Sequence, residues 1–193
     1  INKIIINNKV ENKNFLTFNV NGSQKIILIK IKNKNSSLDN EKIGAEFYDF
    51  IKFNSIFKTT FSFNNFEVLN SKNKNFFEEF LHGVQLKSYE FNKYKTKKKN
   101  ELFEINVITH NKNLNLNKTK RYNSIIQGLN LTKDLVSEPG NILHPDEYAK
   151  RISQLRKFGL KVNIYDNKKL KKLGMNALIG VGQGSIRGSY LVT

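Results

Sequence analysis

"KDLVSEPGNILHPDEYA", residues 133–149, holds both prolines of the chain, Pro139 and Pro145, next to Gly140 and His144. Elsewhere the sequence is dominated by Asn, Lys and Ile. The stretch reads as a joint between two helices. Pro139 cannot continue the apolar helical pattern that precedes it, and Gly140 lets the chain turn. Pro145 suits the first turn of a new helix, where a missing N–H costs nothing. That second helix is expected to run to about Phe158, with Gly159 as its stop.

Working upstream, residues 117–137 have the spacing of a long amphipathic helix. Ile125, Leu129, Thr132 and Val136 form one stripe, with Gly128, Leu131 and Leu135 beside it. Further back, "FLTFNV" (15–20) and "KIILIKI" (25–31) read as strands around Asn21-Gly22, a hairpin signal. "DNEKIGAEFYDFIK" (39–52) is a predicted helix capped by Asp39 or Asn40, with Ile43, Phe47, Phe50 and Ile51 on one face. "TTFSF" (59–63) and "FEVL" (66–69) are predicted strands joined at Asn64-Asn65. "NFFEEFLHGVQLKSY" (75–89) is helical in period, and "ELFEINVIT" (101–109) is extended. Downstream, "LKVNIY" (160–165) reads as a strand and "NKKLKKLG" (167–174) as a short helix. "ALIGVG" (177–182) reads as a buried strand or turn, and "SYLV" (189–192) as the start of another strand. Alternating strands and helices imply an α/β fold with a mixed sheet.

The composition supports a folded core: hydrophobic residues are 38% of the 193 and aromatics 11%, mostly Phe. No apolar run approaches the ~20 residues that span a bilayer, so no membrane role is expected. "INKIIINNKV" is too short and polar for a secretory signal. There is no cysteine, hence neither a disulfide framework nor a thiolate metal site. A cytoplasmic location is the simplest expectation. The formal charge is +17, from 33 Lys+Arg against 16 Asp+Glu. Such a surface attracts phosphate. Yet Arg, the better base reader, occurs only at positions 121, 151, 156 and 187, and the lysines form no obvious stripe. Weak, non-specific nucleic-acid binding is the most this charge implies.

The chemistry-bearing residues form no cluster in the sequence. His82, His110 and His144 stand apart, without metal-ligand spacing. The carboxylates are scattered, and no Gly-x-Ser-x-Gly is present. "GVGQGSIRGS" (180–189) has the glycines of an anion loop and Arg187 to assist it. However, it lacks the Lys-Ser/Thr of a phosphate loop and leads into a strand, so a tight turn between strands is the simpler reading. "YEFNKYKTKKKNE" (89–101) interleaves Tyr89, Phe91 and Tyr94 with lysines. It could stack bases or simply pack its aromatics and solvate its charges. No catalytic, cofactor-binding or metal-ligating residue is assigned from the sequence.

Three blocks in order resemble the leucyl aminopeptidase (cytosol aminopeptidase) family: "LKSYEFNKYKTKKK" (86–99), "GLNLTKDLVSEPGNILHPDEYA" (128–149) and "LKKLGMNALIGVGQGSIRGSYLV" (170–192). Asp134, Leu135, Val136, Pro139, Asn141 and Pro145 fit the second block. Leu173, Gly174, Met175, Val181, Gly182, Gly184 and Ser185 fit the third. The resemblance implies a mixed-sheet N-terminal α/β domain (1–114), a linking helix (115–138) and the first βα elements of a truncated catalytic domain (139–193). For the complete enzyme it implies a homo-hexameric metallo-exopeptidase acting on peptides with a free N-terminus. Two divalent metal ions (Mn, Zn or Mg) would activate water and polarise the scissile carbonyl. The family's ligands, one lysine and several carboxylates, fall beyond the matching blocks, so the chain alone is expected to be inactive. A basic nucleic-acid-binding module and a non-catalytic scaffold paralogue are the alternatives.

Overall fold

A computed structural model describes residues 14–32, 34–62, 75–96, 102–108 and 116–193. The expected strand at 66–69, its Asn64-Asn65 turn and His110 lie outside the described residues. Two compact units are present, Ile1–Leu129 and Asn130–Thr193. Together they confirm the α/β class.

The first unit opens with the hairpin β1 (Phe15–Asn19) and β2 (Lys25–Ile29), antiparallel with Phe15 opposite Ile29 and Asn19 opposite Lys25. The turn is wider than a two-residue Asn-Gly turn. Val20 N–H reaches the Gln24 carbonyl at 2.9 Å, and neither Asn21 nor Gly22 has a positive φ. Helix α1 (Ser37–Phe53) follows. Its cap is Ser36, not Asp39 or Asn40. The Ser36 hydroxyl accepts from Asp39 N–H, and the Asp39 carboxylate accepts from Ser36 N–H in return, a capping box. Asn40 is instead buried inside the unit.

Strand β3 (Lys58–Ser62), helix α2 (Phe76–Ser88) and strand β4 (Glu104–Ile108) form a β-α-β crossover. β3 and β4 are parallel, Phe61 opposite Val107, a pairing that needs a long connection between the strands. The core lies where α1 and α2 cross. Phe47, Tyr48 and Ile51 from α1 meet Phe76, Phe77, Phe80 and Val84 from α2, with Phe15, Ile27, Phe61 and Ile105 packed around them. The Phe47 ring sits 5.2 Å from Phe80, 5.5 Å from Phe61 and 5.8 Å from Phe15, the spacing of favourable aromatic contact. Two glycines bring the helix backbones together. A Cβ on Gly44 would fall 2.0 Å from the Phe80 carbonyl oxygen, and one on Gly83 would fall 2.0 Å from that of Glu41.

Helix α3 (Leu116–Ser137) covers the expected residues, but a different stripe is buried. Ile126 and Leu135 are 9% and 8% exposed, whereas Val136 is 81% and Ile125 and Leu129 are more than a third exposed. Apolar residues occur on adjacent phases of this helix, and tertiary partners select between them. In the second unit, α4 (Pro145–Ser153) continues as a 3₁₀ turn (Gln154–Phe158) and ends at Gly159, whose φ of 84° is left-handed. Both prolines thus act as the sequence predicts. Only Ile164–Tyr165 of the expected strand 160–165 joins a ladder; this β5 pairs antiparallel with β6 (Leu191–Val192). Asp166 caps α5 (Asn167–Lys172). Residues 177–182, expected as a strand or turn, lie in helix α6 (Asn176–Gly182), which has no buried residue. A short apolar run carries no period that separates helix from strand. Here the left-handed Gly174, φ 72°, ends α5 and allows a second helical start.

Candidate functional site

The joint at 138–147 carries a cluster of ion pairs in the second unit. After α3, Ile142 and Leu143 N–H groups both donate to the Pro139 carbonyl at 2.9 Å, which folds the loop back on itself. His144 is then the cap residue of α4, in extended backbone, and Pro145 is in the first turn. Placing Asp146 and Glu147 in that turn complements the positive end of the helix dipole.

These acids are all paired. Arg151 donates through Nη1 to Glu138 Oε1 at 2.8 Å and through Nε to Glu147 Oε1 at 2.9 Å. The Glu138 side chain is only 2% exposed, so one guanidinium pins the end of α3 to α4 across the double-proline loop. The Arg151 hydrogen bond, against partial desolvation, holds the Glu147 carboxyl below the ordinary carboxylate range. Glu138 first and Glu147 second raise the already high Arg151 value. Asp146 accepts from His144 Nδ1 at 2.8 Å and from Arg187 Nη1 at 3.1 Å. Partial desolvation pushes the Asp146 carboxyl up. Its own backbone N–H and the His144 hydrogen bond outweigh that and leave it lowered.

Arg187 is therefore engaged with a carboxylate rather than poised for an anion. The glycine-rich segment around it spans the end of α6 and the approach to β6, not a phosphate loop opening a helix. Ser189 N–H donates to Asn167 Oδ1 at 2.9 Å, fixing that approach.

His82, in the first unit, is buried in a separate polar cluster. Its Nδ1 lies 2.9 Å from Glu41 Oε1, and its ring centroid is 4.7 Å from that of Tyr122. Burial raises the Tyr122 phenol, with Glu79 and Glu41 adding to the effect. Glu79, 4% exposed, accepts from Asn40 Nδ2 and Ser37 Oγ, each at 2.7 Å. The aromatic–lysine connector places Phe91 edge-on to Tyr94 at 5.8 Å, with Lys93 Nζ 5.4 Å from the Tyr94 ring. Glu90 is bonded to Lys52.

The sequence scan missed the Glu138–Arg151–Glu147 cluster. Glu147 and Arg151 stand at helical i, i+4 spacing, a legible signal, but Glu138 reaches them only through the folded loop. Among the described residues no three His, Cys, Asp or Glu side chains converge on a point that could hold a metal ion. The acids at the joint are saturated by arginine and histidine, so this donor set does not fit a divalent ion, and no metal chemistry is assigned to it.

A family model described as "Cytosol aminopeptidase family, catalytic domain" matches residues 130–193. A probable cytosol aminopeptidase of Phytoplasma mali (strain AT) is 44% identical over 119 residues, covering 58% of this chain and 24% of that protein. One from Bradyrhizobium sp. (strain BTAi1 / ATCC BAA-1182) is 44% identical over 114 residues, covering 57% of this chain and 23% of that protein. The chain thus spans about a quarter of the length of these curated relatives. Among solved structures, a tomato leucine aminopeptidase mutant superposes with a TM-score of 0.75 at 19% identity, over 92% of this chain and 37% of that one. A bottromycin maturation enzyme in complex with Mn superposes with a TM-score of 0.73 at 17% identity, over 92% of this chain and 38% of that one. These superpositions show a shared fold; the sequence matches carry the kinship. The second and third of the blocks that suggested an aminopeptidase fall almost wholly within residues 130–193, and over those residues the chain is similar to the catalytic domain of the cytosol aminopeptidase family.

Proposed function

We propose that this chain is the N-terminal α/β domain, linking helix and opening catalytic segment of a leucyl aminopeptidase. The complete protein would remove N-terminal residues from peptides by metal-dependent hydrolysis. The observation that carries this reading is the match of residues 130–193 to the family's catalytic domain. The domain division 1–114, 115–138 and 139–193 belongs to the same proposal. So do the homo-hexamer, the cytoplasmic location and the use of two Mn, Zn or Mg ions. The Mn complex of the bottromycin maturation enzyme, which has the same fold, supports the use of a divalent ion.

Within this reading the 193 residues supply framework rather than catalytic groups. The paired acids at 138–151 are consistent with that role, because carboxylates neutralised by arginine make a rigid joint and poor metal ligands. No described helix is long and apolar enough to cross a membrane.

The test is to extend the protein to the length of its relatives and measure release of leucine from peptides and leucine-p-nitroanilide with Mn²⁺ or Zn²⁺. Metal-dependent turnover, abolished by chelation, is expected. A full-length protein that binds both ions but cleaves no free N-terminus would overturn the proposal in favour of a non-catalytic scaffold.

A further inference from the structure

The turn between β1 and β2 contains the sole Asn-Gly dipeptide of the chain, Asn21-Gly22. Residues 20–24 are all exposed. The Asn21 side-chain carbonyl accepts three hydrogen bonds, from Ser23 N–H at 3.0 Å, Gln24 N–H at 2.9 Å and Ser23 Oγ at 3.1 Å. Its amide nitrogen donates to Gln24 Oε1 at 3.0 Å. A Cβ on Gly22 would meet nothing within 4 Å beyond its two chain neighbours, so no other described residue packs against that position of the turn.

We propose that Asn21 is a site of spontaneous, water-consuming deamidation, accelerated by the folded turn. A base removes the Gly22 amide proton, and the nitrogen attacks Asn21 Cγ. The new N–C bond drives the carbonyl electrons onto Oδ1, where three donors already point. This is the arrangement that stabilises a developing oxyanion in acyl transfer. Collapse of the intermediate breaks the Cγ–Nδ2 bond and releases ammonia, the leaving nitrogen taking a proton from water. Water then opens the succinimide at either carbonyl, giving aspartate or isoaspartate at position 21. The net reaction is asparagine plus water to aspartate plus ammonia, with no change of oxidation state. Glycine is required because a side chain at position 22 would crowd the ring closure. The isoaspartate product adds one backbone methylene to a loop whose ends are set by the Asn19–Lys25 pair, and so loosens the hairpin end.

Incubation of the whole chain at mildly alkaline pH, followed by peptide mapping, tests this. Conversion should concentrate in the peptide containing Asn21, rise with pH, and fall by an order of magnitude or more in Gly22→Ala. Ser23→Ala removes one oxyanion donor and should slow the folded protein several-fold while leaving a urea-unfolded sample unchanged. The unfolded wild type should react more slowly than the folded one. Equal loss spread over the other asparagines, or a folded turn that protects Asn21 relative to the unfolded chain, would overturn the proposal. The unfolded comparison keeps the test decisive should either variant fold poorly.

Discussion

Arg151 and Glu138 face each other across the double-proline loop, 2.8 Å apart, with the carboxylate almost wholly shielded from water. Removing the cation should leave a shielded negative charge without this partner. Arg151→Ala is expected to cost about 2–4 kcal/mol in urea unfolding. Glu138→Gln, which keeps an acceptor, should cost less. A double variant clearly less destabilised than the sum of the two singles would show the coupling; strict additivity would show that the two groups act independently.

The same joint should respond to acid. Glu147 is held below its ordinary value of 4.5, chiefly by Arg151. A depressed carboxylate stabilises the fold fully above that value, and the stabilisation is lost as pH falls through the lower folded value. Stability against urea should therefore decline below about pH 4.5, and Arg151→Gln should flatten that decline. An unchanged slope in the variant would count against this assignment.

Leu135 and Val136 are neighbours with opposite environments, 8% and 81% exposed. Leu135→Asp should cost roughly 3 kcal/mol or more by burying an unpaired charge. Val136→Asp should stay within about 0.5 kcal/mol. Equal effects would mean that the buried phase of α3 has been misassigned.

The contrast shows what sequence reading can and cannot reach. Helix limits were legible because proline, glycine and apolar period mark them locally, as at Pro145 and Gly159. The buried phase of α3 was not, since apolar side chains sit on adjoining phases and the packing partners decide between them. Ser36 was missed as a cap because Asp39 competes for the same role; the capping box uses both. At the candidate site, the Glu147–Arg151 pair could be read from spacing, but Glu138 joins them by a fold-dependent path that no local pattern records.

The glycine contacts between α1 and α2 should be intolerant of even one methyl group. Gly44→Ala and Gly83→Ala would each drive a carbon to within 2.0 Å of a backbone oxygen. Each is expected to destabilise by about 3 kcal/mol or more, at the upper end of overpacking costs. Gly128→Ala on α3, with nothing within 4 Å of the new carbon, should be neutral or slightly stabilising. Thermal unfolding of the three variants separates these outcomes.

The charge of +17 predicts weak DNA association that fades steeply as salt is raised. Filter binding across a salt series checks it. Retention at physiological salt, with discrimination between sequences, would favour a nucleic-acid-binding role instead.

The parallel pairing of β3 with β4 also governs how the first unit assembles. Lys58 pairs with Glu104, so the partners lie 46 positions apart along the chain. The β1–β2 hairpin closes across a far shorter span. Bringing distant partners together costs chain entropy before any contact repays it. The hairpin and the two helices should therefore organise early, with the parallel ladder closing after the rate-limiting barrier. Substitutions at Thr60 or Ile105 would then hasten unfolding and leave the folding rate nearly untouched. Ladder variants that chiefly slow folding would place this strand pair in the nucleus.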